Sequence, residues 1–228
     1  MERKYFALIG DIVGSRKLPN RAEVQERFRS TLVDINSNEK DSVAAGFIIT
    51  LGDEFQGLLY ADGSLSPIYA ALKIKNALYP VKLRISIGIG RISTEINPQM
   101  ALGADGEAFY RARDGMNRIR ADEHAQRITR ENDGAIRVVS DDNDFDEYVN
   151  TLLLLTGTIR KHWSERQGEI ARRCLDLLIT EDMFKQRKIA DEFGITQGTL
   201  SKSLNSSDTL AYLKGVHTAK IMLEKRFK

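Results

Sequence analysis

FIITLGDEFQGLLY, residues 47–60, decides how the first part of this chain is read. Phe47-Ile48-Ile49-Thr50-Leu51 and Phe55 to Tyr60 are two strand-like runs, and Gly52-Asp53-Glu54 between them marks a β-hairpin with acidic residues near its tip. Upstream, Tyr5 to Ile9 is a near-continuous apolar run ending at Gly10-Asp11, as expected of a buried central strand. Val24, Phe28, Leu32 and Ile35 then fall at helical spacing within 21–37. Downstream, Ser66 as N-cap and Pro67 at the first helical position open a helix that stops near Leu78, before Pro80. Leu83, Ile85, Ile87 and Ile89 alternate with Arg84, Ser86, Gly88 and Gly90, a period of two. A helix over 105–120 and a short strand over 135–139 follow. The order strand, helix, hairpin, helix, strand, helix, strand predicts an α+β fold of the split βαβ kind, a mixed sheet with helices packed on one face.

Asp141-Asp142-Asn143-Asp144 marks a boundary between residues 1–142 and 143–228. Beyond it the pattern is helical, over 145–161, 164–179, 186–193, 197–205 and 207–226. Within 186–205 the spacing is that of a helix-turn-helix. Ala190 is small where a second helix would cross, Gly194 suits a left-handed helix end, and Ile195 and Leu200 are placed to fill the gap between helices. The second helix would present Gln197, Thr199, Ser201 and Lys202 to base edges or phosphates, with Arg187 and Lys188 on the DNA backbone. An ordinary αα-corner inside a helical bundle, docking a protein, is the competing reading.

Charge favours an anionic partner for this second part. Residues 151–228 hold 14 Lys/Arg against 9 Asp/Glu, whereas residues 1–150 hold 20 against 23. No apolar run approaches the ~20 residues of a bilayer span, the longest being Leu152 to Leu155. The N-terminal stretch has no secretory pattern, and Cys174 is the single cysteine, so a reducing, cytoplasmic setting is expected. Cys174, Trp163 and Tyr212 read as packing residues, and His124, His162 and His217 are too scattered for a metal site.

Asp11 at the end of the first strand and Asp53 at the hairpin tip would converge at one sheet edge if their strands are neighbours. Mg²⁺ or Mn²⁺ suits such a pair, because hard cations take one or two carboxylates and complete their shell with water and substrate phosphates. Gly14, Ser15 and Arg16 would offer backbone N–H groups and a guanidinium to those phosphates. The plain alternative is that each Gly-Asp is only a turn.

GDIVGSR at 10–16 resembles the opening motif of class III nucleotidyl cyclases. FIITLGDEF at 47–55 resembles their second metal motif, and its GDEF ending resembles diguanylate cyclases. RISIGIGRI at 84–92 is similar to a later cyclase strand, and the three occur in cyclase order. The whole chain is most similar to the SatD family, in which such a domain precedes a helix-turn-helix. The resemblance implies a ferredoxin-like cyclase palm, Asp11 and Asp53 as metal ligands with the Ile12 carbonyl as a third, a nucleotide ligand, and a homodimer. It fails at the transition-state residues: alignment of GEAFYRARDGMNR puts Tyr110 and Asp114 where cyclases carry Asn and Arg, with Arg111 and Arg113 off register. The adenine-reading Lys likewise has no counterpart in Phe47 to Leu51. The sequence therefore leads to a DNA-binding regulatory protein with a divergent, nucleotide- and metal-binding cyclase-like sensor or dimerisation domain. Its rivals are an active cyclase or related phosphoryl-transfer enzyme whose tail docks a partner, and a purely structural interaction protein.

Overall fold

The computed structural model describes residues 3–125, 135–181 and 185–228. Strands β1 (Tyr5–Ile12), β2 (Val43–Ile49), β3 (Glu54–Tyr60), β4 (Leu83–Gly90) and β5 (Ile136–Val139) form one sheet in the order β2-β3-β1-β4-β5. β1 is antiparallel to both β3 and β4, and β2 is antiparallel to β3. β5 joins β4 in parallel, through a crossover on α3 (Glu107–His124). Helices α1 (Arg21–Asn38) and α2 (Pro67–Leu78) complete the split βαβ arrangement. The α+β class and the element order are those expected.

β2 starts four residues before the apolar run at Phe47. Val43, Ala44, Ala45 and Gly46 belong to it, with register shifts between Val43 and Ala45 and between Ala45 and Ile48. The bulges break the period of two by which a strand is recognised. At the start of α2, Ser66 does hold the N-cap position and Pro67 follows it, but the Ser66 hydroxyl makes no capping bond.

The helices are not confined to one face. Phe6, Leu8 and Ile12 of β1 and the four odd-numbered aliphatics of β4 share a cluster with Val24, Phe28, Leu32 and Ile35 of α1. Ala7 of β1 and Leu58 of β3 point the other way, into a second cluster with Ala108, Phe109 and Ala112 of α3. The alternation in β4 is therefore apolar against small, not apolar against wet. Ser86, Gly88 and Gly90 are buried because α3 lies on them. A Cβ on Gly88 would stand 2.0 Å from the Ala108 carbonyl oxygen and 2.3 Å from the Ala112 nitrogen. From the helix side, a Cβ on Gly115 would stand 2.1 Å from Ser86 Oγ.

The remaining helices are α4 (Asn143–Lys161), α5 (Glu165–Glu181), α6 (Gln186–Glu192), α7 (Gln197–Ser206) and α8 (Thr209–Phe227). Asp142 caps α4 by accepting a bond from the Phe145 N–H at 3.0 Å. Phe227 meets Phe145 edge to face at 5.1 Å and Phe6 of β1 at 6.5 Å, so one apolar cluster runs from the sheet into α4 and α8. Trp163 packs on Tyr212 at 4.9 Å and donates to the Ser207 carbonyl at 2.7 Å. Among the described residues no helix is long and apolar enough to cross a membrane.

The contact between α3 and β4 has a measurable consequence. Gly88→Ala should lower the unfolding free energy by about 2 kcal/mol or more, the cost of overpacking a filled contact. Gly157→Ala in α4, where a Cβ meets nothing within 4 Å, should instead raise it by about 0.5–1 kcal/mol. Urea unfolding of the two variants reads both signs in one experiment.

Candidate functional site

The expected metal and phosphate residues gather at one end of the sheet. Asp11 lies on β1 with Glu54 of β3 opposite on one side and Arg84 of β4 opposite on the other. The hairpin tip is held to β1 by the Ile12 N–H, which donates to the Asp53 carbonyl at 3.0 Å. Gly14 turns the chain in the left-handed region at φ 69°, and Ser15 follows in a short 3-10 turn over Ser15–Lys17. Ser15 Oγ donates to Asp53 Oδ2 at 2.5 Å. Arg16 is exposed beside this turn. All six positions, Asp11, Ile12, Gly14, Ser15, Arg16 and Asp53, thus occupy one neighbourhood.

What sequence reasoning missed is the cationic surround of Asp11. Its side chain is only 9% exposed and meets two guanidiniums. Arg84 Nη1 is 3.2 Å from both carboxylate oxygens, and Arg120 Nη2 of α3 is 2.8 Å from Oδ2. Arg84 turns its other nitrogens to Glu123, at 2.9 and 2.7 Å, and Arg120 lies 3.6 Å from Glu54. Glu123 first, and Asp11 after it, hold the Arg84 guanidinium above its ordinary pKa. The sequence carried only a trace of it: Arg84 is the polar member of the β4 alternation at that sheet end, and nothing local names Asp11 as its partner.

Arg111 and Arg113, the arginines near the cyclase register, serve the other end of α3. Arg111 donates to the Ile89 carbonyl and lies 3.8 Å from Glu107, and Arg113 lies 3.6 Å from Asp105. Tyr110 bonds Asp105 at 2.5 Å, and Asp114 pairs with Arg118 at 2.8 Å. Hydrogen bonds from Arg91 pull Glu107 down to about 2, so this end is a solvated ion-pair network.

The donor chemistry of Asp11, Asp53 and the Ile12 carbonyl suits Mg²⁺ or Mn²⁺ completed by water and phosphate. Among the described residues, however, no group of three His, Cys, Asp or Glu side chains is placed to hold a metal ion. The Asp11 charge is met by guanidinium. A cation arriving at Asp11 competes with Arg120, whose side chain is 43% exposed, before Arg84, which is 19% exposed.

The second candidate surface is carried by α6 and α7. Gly194, at φ 62°, ends α6 in the left-handed region. Thr196 caps α7 by accepting from the Thr199 N–H at 3.1 Å. Ile189, Ala190, Leu200 and Leu204 are buried, which leaves Arg187, Lys188, Gln197, Thr199 and Lys202 exposed and Ser201 half-buried. Two of these are engaged within the chain: Thr199 Oγ1 is 2.9 Å from Thr196 Oγ1, and Lys188 is 2.7 Å from Glu181. Cys174 is buried, and desolvation pushes its thiol up to about 12, so it is a protonated core residue at neutral pH.

The chain matches the SatD family over residues 5–223. No curated protein matches it. Among solved structures it is similar to a bacterial light-regulated adenylyl cyclase, at 16% identity over 59% of this chain and 76% of that one, with a TM-score of 0.36. It is similar to the guanylyl cyclase Cya2 at 16% identity, over 51% and 70%, with a TM-score of 0.35. A regulator of polyketide synthase expression from Bifidobacterium adolescentis matches at 14% identity, over 96% and 81%, with a TM-score of 0.31. Likenesses of this size say nothing of what this chain binds.

The ion-pair geometry orders two substitutions. Arg84→Met leaves two largely buried carboxylates short of a counter-charge and should cost about 3 kcal/mol. Arg120→Ala removes a half-exposed partner and should cost about 1 kcal/mol or less. Denaturant unfolding that shows Arg120→Ala the more damaging would contradict the assignment of Arg84 as the buried link.

Proposed function

Since the chain belongs to the SatD family, we propose that it is a DNA-binding regulatory protein with two functional parts, residues 1–142 and 143–228. The second part binds DNA through a helix-turn-helix made of α6 and α7. The first binds a nucleotide with Mg²⁺ or Mn²⁺ at the sheet end and pairs two copies of the chain. The observation that carries the DNA reading is the exposed polar face of α7, seated on buried Leu200 and Leu204 and joined to α6 through the left-handed turn at Gly194. Gln197 is a residue type that pairs with adenine, and Lys202 and Arg187 suit base edges and phosphates. A homodimer presents two such helices to two half-sites, which doubles the contacts without enlarging the fold.

In the first part, Asp11, Asp53 and the Ile12 carbonyl are the proposed metal ligands, and Gly14, Ser15 and Arg16 the proposed phosphate contacts. Ser15 is poised for this role because its hydroxyl already sits on Asp53. Tyr110 and Asp114 stand where cyclases carry their transition-state Asn and Arg, and the nearby off-register Arg111 and Arg113 are engaged at the far end of the helix. Preorganised donors at the reacting phosphate are what such catalysis demands, so binding rather than turnover is the proposed role of this end.

The test is a selection of genomic DNA fragments by the full-length protein, followed by affinity measurements at a stated salt concentration. Enriched fragments should share a two-fold site, and Gln197→Ala should weaken binding by about 1–3 kcal/mol, about 5- to 150-fold in Kd. Lys202→Ala should weaken binding and flatten the salt dependence. No enrichment over random fragments, or affinities unmoved by both substitutions, would sink the DNA reading. Incubation with each nucleoside triphosphate and Mn²⁺, with Asp11→Ala as control, separates it from the enzyme: Asp11-dependent product would replace binding by turnover.

A further inference from the structure

Among the described residues, one face of α4 is left uncovered. Phe145, Val149, Leu153 and Thr156 are buried, and their side of the helix packs on β5 and α8. On the opposite side Tyr148 is 66%, Leu154 47% and Leu155 57% exposed. No charged residue falls between Glu147 and Arg160, whereas a helix face that meets water ordinarily carries charge. Tyr148, Leu152, Leu155 and Ile159 follow one another at steps of four, three and four, the 3.5-residue period of a helix–helix seam. Leu152 and Ile159 are half-buried and pack against the apolar core, so the fold holds the seam in place.

Charge selects the helix that can cover it. Exposed Asp144 and Glu147 stand at the start of the stripe and exposed Lys161 at its end. A second copy laid antiparallel, about a two-fold axis between Leu152 and Leu155, sets Leu155 against Leu152 and Tyr148 against Ile159. It also brings the acidic end of each helix to the basic end of the other. A parallel copy would set Asp144 and Glu147 against themselves. With 19 residues, α4 is about 28 Å long. One contact of that length is smaller than a standard interface, and it calls for micromolar association.

We infer that α4 is a self-association surface, covered by α4 of a second copy of this chain packed antiparallel along the stripe from Tyr148 to Ile159. The inference goes beyond the proposed function, in which residues 1–142 pair the two copies, by giving residues 143–228 a pairing contact of their own. It stands whether or not the chain binds DNA.

Sedimentation equilibrium of the full-length chain should show a monomer–dimer equilibrium in the micromolar range. Leu155→Lys should raise the dissociation constant at least about tenfold, with an unchanged urea midpoint because the side chain is exposed. Leu102→Lys, at a position 61% exposed on the segment between β4 and α3, should leave the constant where it is. Direction is read by disulfide linking, for which buried Cys174 is silent. Asp144→Cys and Lys161→Cys combined in one chain should link two copies, and neither should do so alone. A chain still monomeric at about 100 µM, a dimer unmoved by Leu155→Lys, or copies linked by Asp144→Cys alone would each overturn the assignment. The second of these leaves pairing through residues 1–142 in place, and none of them touches the DNA selection.

Discussion

The close approach of α3 to β4 is the constraint on which the rest of the structure depends. Ala108, Ala112 and Gly115 on the helix meet Gly90, Gly88 and Ser86 on the strand, with no room for a Cβ at the two closest points. The axial steps agree: eight helical residues from Ala112 to Arg120 advance about 12 Å, and four strand residues from Gly88 to Arg84 advance about 13 Å. Laying the helix on the small residues therefore delivers Arg120 and Glu123 to the end of the sheet where Asp11 and Arg84 stand. The same contact covers the second face of the sheet at β1 and β4, where Ala7 is buried with Ala108, Phe109 and Ala112.

That geometry changes what the acidic pair means. A carboxylate at a strand end beside a hairpin-tip carboxylate is the donor set of a divalent cation. Here one member is compensated by two arginines and the other accepts a hydrogen bond from a serine hydroxyl. The Asp11 charge is met by guanidinium, so a cation arriving there would compete first with the half-exposed Arg120. The charge balance at Asp11 is supplied by Arg84 of β4 and Arg120 of α3, so it depends on the packing of a helix that also carries β5 into the sheet.

Much of this was legible from sequence. The hairpin at 47–60, the helix after Ser66-Pro67 and the β4 alternation all emerge in the fold, as does the gathering of residues 10–16 with Asp53. The failures have physical causes. Bulged Val43 to Gly46 hid the start of β2, because small residues and register shifts erase the period of two. Helices were expected on one face of the sheet only, yet Gly88 and Gly90 on the other are buried because glycine is the residue that admits a helix backbone. Arg84 and Arg120 stayed unread because their partner is 73 and 109 residues away in sequence, and no local pattern announces an ion pair of that span. The boundary at Asp142 was placed on composition, while the Phe6, Phe145 and Phe227 contacts that join its two sides are equally non-local.

The account is tested most directly by Mn²⁺ binding in the presence of ATP or GTP, followed by electron paramagnetic resonance, in the native chain and in Arg120→Ala and Asp11→Asn. If the guanidinium of Arg120 competes for Asp11, its removal should tighten Mn²⁺ binding by up to about fivefold, the scale of one half-exposed ion pair, and Asp11→Asn should abolish it. Identical Mn²⁺ affinity in all three proteins would contradict the account.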